Sequence, residues 1–167
     1  MLLVDGSSML HSCFFGTVPK EYYRAKTPEE RRFILPRIMQ TRSGVFTNGV
    51  YAMSKSLKNL VERCKPGYMA VAWDVSRETF RRGIYAEYKA NRAETAPELK
   101  SQFAIMQEIL RVAGVKQFMD QNLEADDYLG SLSKQFEKNT PVYIYTKDQD
   151  ALQLVSDYTR VWLIKKH

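Results

Sequence analysis

Three carboxylates crowd into four positions at Glu124, Asp126 and Asp127, within the stretch LEADDYLG that runs from Leu123 to Gly130. Apolar residues then recur at Leu129, Leu132 and Phe136, a helical spacing, so the acids stand in a first turn facing the positive end of a helix macrodipole. That accounts for one or two of them. Three so close repel and raise one another's pKa, an arrangement that becomes tolerable when a cation sits among them. Asp5, Asp74, Asp148 and Asp150 follow short apolar runs elsewhere. Together these are seven of nineteen acids, placed at or just beyond four strand ends in a chain of net charge +6. Oxygen donors without histidine or cysteine call for Mg²⁺ or Mn²⁺ and not zinc. Enough carboxylates for two ions about 4 Å apart suits phosphodiester hydrolysis, in which the ions activate water and stabilise the charge of the transition state and leaving oxygen. Each acid also fits a local role: Asp5 capping a turn before Ser7 and Ser8, Asp126 and Asp127 as dipole partners, Asp148 as an N-cap with Asp150 behind it.

The elements that must carry these acids alternate between strand and helix. Met1 to Asp5, Tyr68 to Trp73, Val115 to Met119, Pro141 to Thr146 and Thr159 to Ile164 read as five buried strands, apolar without alternation. Thr47 to Cys64 is an amphipathic helix stopped by Lys65-Pro66-Gly67, and Pro97 to Ala113 is another, ended by Gly114. A third runs from Glu124 to about Lys138, and Ala151 to Val155 gives a short one. Asp148 and Asp150, two apart in an extended loop, point to one side. The order implies an α/β fold with a central parallel sheet of about five strands flanked by helices, a Rossmann-like three-layer arrangement whose sites lie at the C-terminal strand edge.

Two segments concentrate positive charge. Thr79 to Arg92, TFRRGIYAEYKANR, interleaves Arg81, Arg82, Lys89 and Arg92 with Tyr85 and Tyr88. Guanidiniums for phosphate and rings for bases make it the best nucleic-acid-contact segment, with Lys89 or Arg81 placed to neutralise a scissile phosphate. A solvated helix with tyrosines packed beneath fits the same pattern. Residues 16–46 form an irregular basic insertion with Tyr22, Tyr23 and Phe33, suited equally to phosphate contact or to plain solvation. Within it Thr27 is an N-cap for a helix starting at Pro28 and ending near Pro36.

The length fits one domain, 1–167, and a pI near 9.3 favours a polyanionic partner. No apolar run is long enough to span a bilayer and none looks like a secretory signal. Cys13 and Cys64 lack metal-ligand spacing and read as partly buried thiols of a reduced, cytoplasmic protein. His11 and His167 carry no role. The default assembly is a monomer.

MLLVDGSSML, VAWD, TFRRGIYAEYKANR, LEADDYLG and TKDQDALQLVSD together resemble the bacterial and phage 5′-nuclease family. That family includes the 5′→3′ exonuclease domain of DNA polymerase I and flap endonucleases, and is related to PIN domains. The resemblance implies a first metal group of Asp5, Asp74, Glu124 and Asp126, with Asp127, Asp148 and Asp150 around a second ion. It implies Arg81, Lys89 and Arg92 at the scissile phosphate, and a helical arch of which 85–97 forms part and through which a 5′ single strand passes. Its substrates would be 5′ flaps and nicked or gapped DNA ends.

Two departures stand out. Phe46 precedes Thr47-Asn48-Gly49-Val50-Tyr51 where the family usually has proline, which changes loop stiffness. The family also continues past the position of His167, with further metal-site acids and a helix-hairpin-helix-like element. A truncated product or a natural short form is therefore expected. A PIN-like ribonuclease on single-stranded RNA and a nucleic-acid-binding module that cannot cut are the alternative readings.

Overall fold

The computed structural model describes residues 1–76, 80–85, 87 and 94–164, the side chain of Arg82 excepted. Its centre is a parallel sheet of β1 (Leu2–Asp5), β2 (Met69–Ala72), β3 (Lys116–Phe118), β4 (Val142–Thr146) and β5 (Thr159–Leu163). They lie in the order β3-β2-β1-β4-β5. The helices are α1 (Gly6–Phe15), α2 (Pro28–Ile34), α3 (Asn48–Cys64), α4 (Phe80–Ile84), α5 (Pro97–Val112) and α6 (Ala125–Phe136). The expected α/β sandwich with five parallel strands is the fold observed.

Alternation along the strands divides the core in two. Leu2 and Val4 of β1 and Val71 of β2 face a layer of α1, α3 and α5, where Phe14, Met53, Leu57, Leu99 and Met106 close the packing. Leu3, Ala70, Ala72, Val142 and Ile144 face the other way, against Ala125 and Leu129 of α6. Gly6 lets α1 begin directly above β2. A Cβ there would stand 2.6 Å from Val71 Cγ1 and 2.8 Å from the Trp73 ring.

Asn48 and Gln102 lock the first layer with buried amides. Thr47 makes no side-chain cap for α3. Instead Gln102 Oε1 accepts the Val50 N–H at 3.0 Å, while Gln102 Nε2 donates to Asn48 Oδ1 and Glu98 O, both at 2.9 Å. Asn48 Nδ2 in turn donates to Phe14 O at 3.2 Å and Thr17 Oγ1 at 2.9 Å.

Three sequence readings change. The stretch after Asp5 is a full helix, α1, which the sequence analysis left unassigned. The extended loop expected at 147–150 ends at Asp148, whose backbone is extended: Asp148 is the N-cap the sequence also allowed, accepting the Asp150 N–H at 3.0 Å, and the chain turns at once into a 3₁₀ helix, Gln149–Leu154. Within the basic insertion, Tyr22 is a core side chain, 4% exposed, and donates its hydroxyl to Glu98 Oε2. It is therefore packed, not presented for stacking. Thr27 caps α2 as expected, accepting the Glu30 N–H, and a 3₁₀ turn, Leu35–Arg37, carries Pro36 past the helix end. Both cysteines are half-buried free thiols.

Candidate active site

Four adjacent strands, β3, β2, β1 and β4, end on one edge of the sheet, and each leads straight into acids. Asp5 is the last residue of β1 and only 4% exposed. It cannot be left bare there. Its Oδ1 accepts the Ser8 N–H at 2.9 Å, and Oδ2 accepts the Thr146 hydroxyl at 2.7 Å from the end of β4. Burial pushes the Asp5 carboxyl up to about 7. The bonds from Ser8 and Thr146 pull the other way, and the charges of Asp74 and Asp126 push it further up.

Asp74 follows β2. Its N–H donates to Ser7 Oγ at 2.8 Å, and its Oδ1 accepts the Ala125 N–H at 2.8 Å, so one carboxylate joins the end of β2 to the start of α6. Ser8 Oγ accepts the Lys147 N–H at 3.1 Å, and Thr146 Oγ1 accepts the Asp148 N–H at 3.0 Å. Ser7, Ser8 and Thr146 thus brace three acid-bearing loops around the N-terminus of α1. The sequence analysis missed these hydroxyls as positioning groups. Their only signal was adjacency, Ser7-Ser8 after Asp5 and Thr146 ahead of Asp148.

Glu124 is the N-cap of α6 and Asp127 its third residue, and the two form a reciprocal capping box in which Asp127 Oδ2 accepts the Glu124 N–H at 2.9 Å. The first-turn role suggested for these acids is therefore real. Arg81, on α4, adds a second claim on them. It donates from Nη1 to Asp127 Oδ2 at 2.8 Å and from Nη2 to Oδ1 at 2.6 Å, with Glu124 Oε2 3.7 Å away. The Phe80 ring lies against the guanidinium, 4.7 Å from centroid to Cζ. Beside Arg81, Asp126 and Asp127 an open cleft of about 410 Å³ runs between α6 and the 3₁₀ turn, lined also by Lys134 and Gln153.

The structure thus brings Asp74 and Asp126 within electrostatic reach of Asp5 and places Asp148 beside Thr146. Asp150 is exposed in the first turn after Asp148. Among the described residues, no three carboxylate, histidine or cysteine side chains stand close enough, as they lie, to hold an ion. The donor chemistry nevertheless fits a hard divalent cation: a carboxyl pushed up chiefly by burial, and also by two neighbouring charges, is what such an ion relieves. Tyr85 is exposed and donates its hydroxyl to Glu87 Oε2. Tyr88, Lys89 and Arg92, like the Arg82 side chain, lie outside the described residues.

The family model for the 5′-3′ exonuclease N-terminal resolvase-like domain matches residues 1–167. The chain belongs to this family. Among its relatives, DNA polymerase I of Lactococcus lactis subsp. cremoris is 34% identical over 169 residues, covering 99% of the chain and 18% of the polymerase. DNA polymerase I of Mycobacterium tuberculosis is 36% identical over 167 residues, covering 99% of the chain and 17% of the polymerase. The chain therefore spans less than a fifth of the length of these curated relatives. A structure of the 5′-exonuclease of bacteriophage T5 with bound zinc superposes with a TM-score of 0.64 at 16% identity, over 98% of this chain and 54% of the phage protein. The phage T5 flap endonuclease in a pseudo-enzyme–product complex with DNA and metal ions gives the same TM-score at 18% identity, over 97% and 54%. At such identities the likeness speaks for the fold, and it is the fold of the 5′-nuclease family. Among the described residues no helix is long and apolar enough to cross a membrane.

Proposed function

We propose that this chain is the metal-bearing N-terminal part of a structure-specific 5′ nuclease that hydrolyses DNA phosphodiester bonds at 5′ flaps and 5′ ends. The observation that carries the proposal is Asp5. Its carboxyl is buried at the end of the central strand, held by the Ser8 N–H and Thr146 hydroxyl, and faces the charges of Asp74 and Asp126. A stable fold has no need to bury one acid against two others, whereas a cation-binding site does. Asp5, Asp74, Glu124 and Asp126 would hold one Mg²⁺ or Mn²⁺, with Asp127, Asp148 and Asp150 around a second. Bound there, the ions would supply Lewis-acid activation of water and stabilisation of the charge that develops on phosphate.

The remaining work belongs to the chain. Ser7, Ser8 and Thr146 hold the carboxylates in place from the backbone outward, which limits how far the site must rearrange as charge develops. Arg81, Lys89 and Arg92 would serve the scissile phosphate, and Tyr85 and Tyr88 would offer rings to unpaired bases. The polymerase relatives, named for DNA synthesis, support DNA as the polymer.

A labelled 5′-flap DNA, a matched RNA and plain duplex, each with Mg²⁺, Mn²⁺ or EDTA, test the assignment. The flap is cut with either metal and not in EDTA, and Asp126→Ala abolishes cutting while leaving the circular dichroism spectrum intact. Undiminished cleavage by Asp126→Ala, or cleavage in EDTA, refutes it. Cutting of RNA alone would instead favour a PIN-like ribonuclease. Flap binding that weakens with salt but never leads to cutting would mark a binding module.

A further inference from the structure

Asp127 has both oxygens engaged. Oδ2 takes the Glu124 N–H and Arg81 Nη1, and Oδ1 takes Arg81 Nη2 at 2.6 Å. The pair is partly buried, with Arg81 at 30% and Asp127 at 21% side-chain exposure, so it is screened less than a surface ion pair. A planar guanidinium that satisfies a carboxylate in this bidentate way covers the lone pairs a metal ion would use. Arg81 also sits on α4, inside the basic segment where a nucleic-acid backbone would pass, so a phosphate offers it a second bidentate partner.

We propose that Arg81 is a positioning residue that stands in for a cation at Asp127, and that releasing it to a backbone phosphate couples ion binding to nucleic-acid binding. The inference rests on the metal-dependent nuclease reading. By linkage, whatever draws Arg81 away from Asp127 strengthens cation binding there, and a cation at Asp127 strengthens phosphate binding by the same factor. Without a phosphate, Arg81 and the ion compete, which holds the acid site in its capped, ion-poor arrangement until a strand arrives.

Mn²⁺ binding followed by the electron paramagnetic resonance of the free ion tests this without relying on turnover. Arg81→Gln binds Mn²⁺ at least about fivefold tighter than the wild type, the low end of ordinary coupling factors. Arg81→Lys, which restores charge but not the fork, falls between them. A short oligodeoxynucleotide tightens Mn²⁺ binding in the wild type and does so less in Arg81→Gln. Wild-type binding with no tightening in Arg81→Gln overturns the coupling and leaves the nuclease reading standing. Absence of Mn²⁺ binding in both proteins overturns both. A measurement on the wild type alone guards against a misfolded variant: in ¹⁵N-arginine NMR, saturating Mg²⁺ shifts the Arg81 Nε signal and speeds its proton exchange. An unchanged signal overturns the proposal.

Discussion

Replacing Asp5 with asparagine should make the protein more stable at neutral pH while removing a ligand of the proposed metal site. An ordinary aspartate titrates near 3.8, and Asp5 in the fold is pushed up to about 7. The folded state therefore binds the proton more tightly than the unfolded state. Below about pH 4 the group is protonated in both states and costs nothing; the penalty grows as pH rises and is complete above about 7. Roughly three pH units at 1.36 kcal/mol each come to about 4 kcal/mol. Asparagine keeps an acceptor for the Ser8 N–H but disturbs the Thr146 hydroxyl bond, returning about 1 kcal/mol. The net gain is about 3 kcal/mol above pH 7, and a loss of about 1 kcal/mol near pH 4. With a urea slope of about 2 kcal/mol/M, Asp5→Asn moves the unfolding midpoint up by roughly 1.5 M at pH 8 in EDTA. Adding Mg²⁺ stabilises the wild type, by about 2.7 kcal/mol at a hundredfold excess over Kd, and leaves Asp5→Asn unmoved. A midpoint for Asp5→Asn at or below the wild type at pH 8 in EDTA, or a difference that ignores pH, refutes the reasoning.

Gln102→Leu leaves the Val50 N–H and Asn48 Oδ1 buried without their partner, at about 1–3 kcal/mol each. A loss of about 4 kcal/mol in urea unfolding is expected, and a loss below about 1 kcal/mol would mean that water or a shifted Asn48 replaces the amide. Gly6→Ala forces a methyl to within 2.6 Å of Val71 Cγ1 and 2.8 Å of the Trp73 ring. It should cost about 1–3 kcal/mol by overpacking and perturb Trp73 fluorescence; wild-type emission with an unchanged melting temperature would contradict the close approach.

How much of this could be read beforehand differs by kind of interaction. The strands were legible because sheets covered on both faces need apolar runs, and Leu2-Leu3-Val4 and Val142 to Tyr145 are such runs. The acids at their ends were legible because each directly follows a run. Helix α1 was not. Its buried residues include Gly6 and Ser7 beside Met9, Leu10 and Phe14, so it carries no clean polar face to betray a period. At Asp148 an N-cap and an extended loop both fitted the sequence, because spacing alone cannot say whether an aspartate accepts its neighbour's N–H; the N-cap is what forms. Arg81 was read as a group for the scissile phosphate, and its carboxylate partner, 46 positions away, leaves no local trace.

The position of β1 at the middle of the sheet also has a bearing on synthesis. β1 is the first strand made, and its neighbour β4 is joined to it through pairs such as Leu2 with Tyr143. At about 5–20 residues per second, roughly 7 to 28 s separate the two on the ribosome. For that interval Leu2, Leu3 and Val4 have one strand edge open, and Asp5 lacks the hydroxyl that holds it. A nascent chain therefore carries an aggregation-prone edge, and its acid-bearing strand ends come together only once β4 has been made.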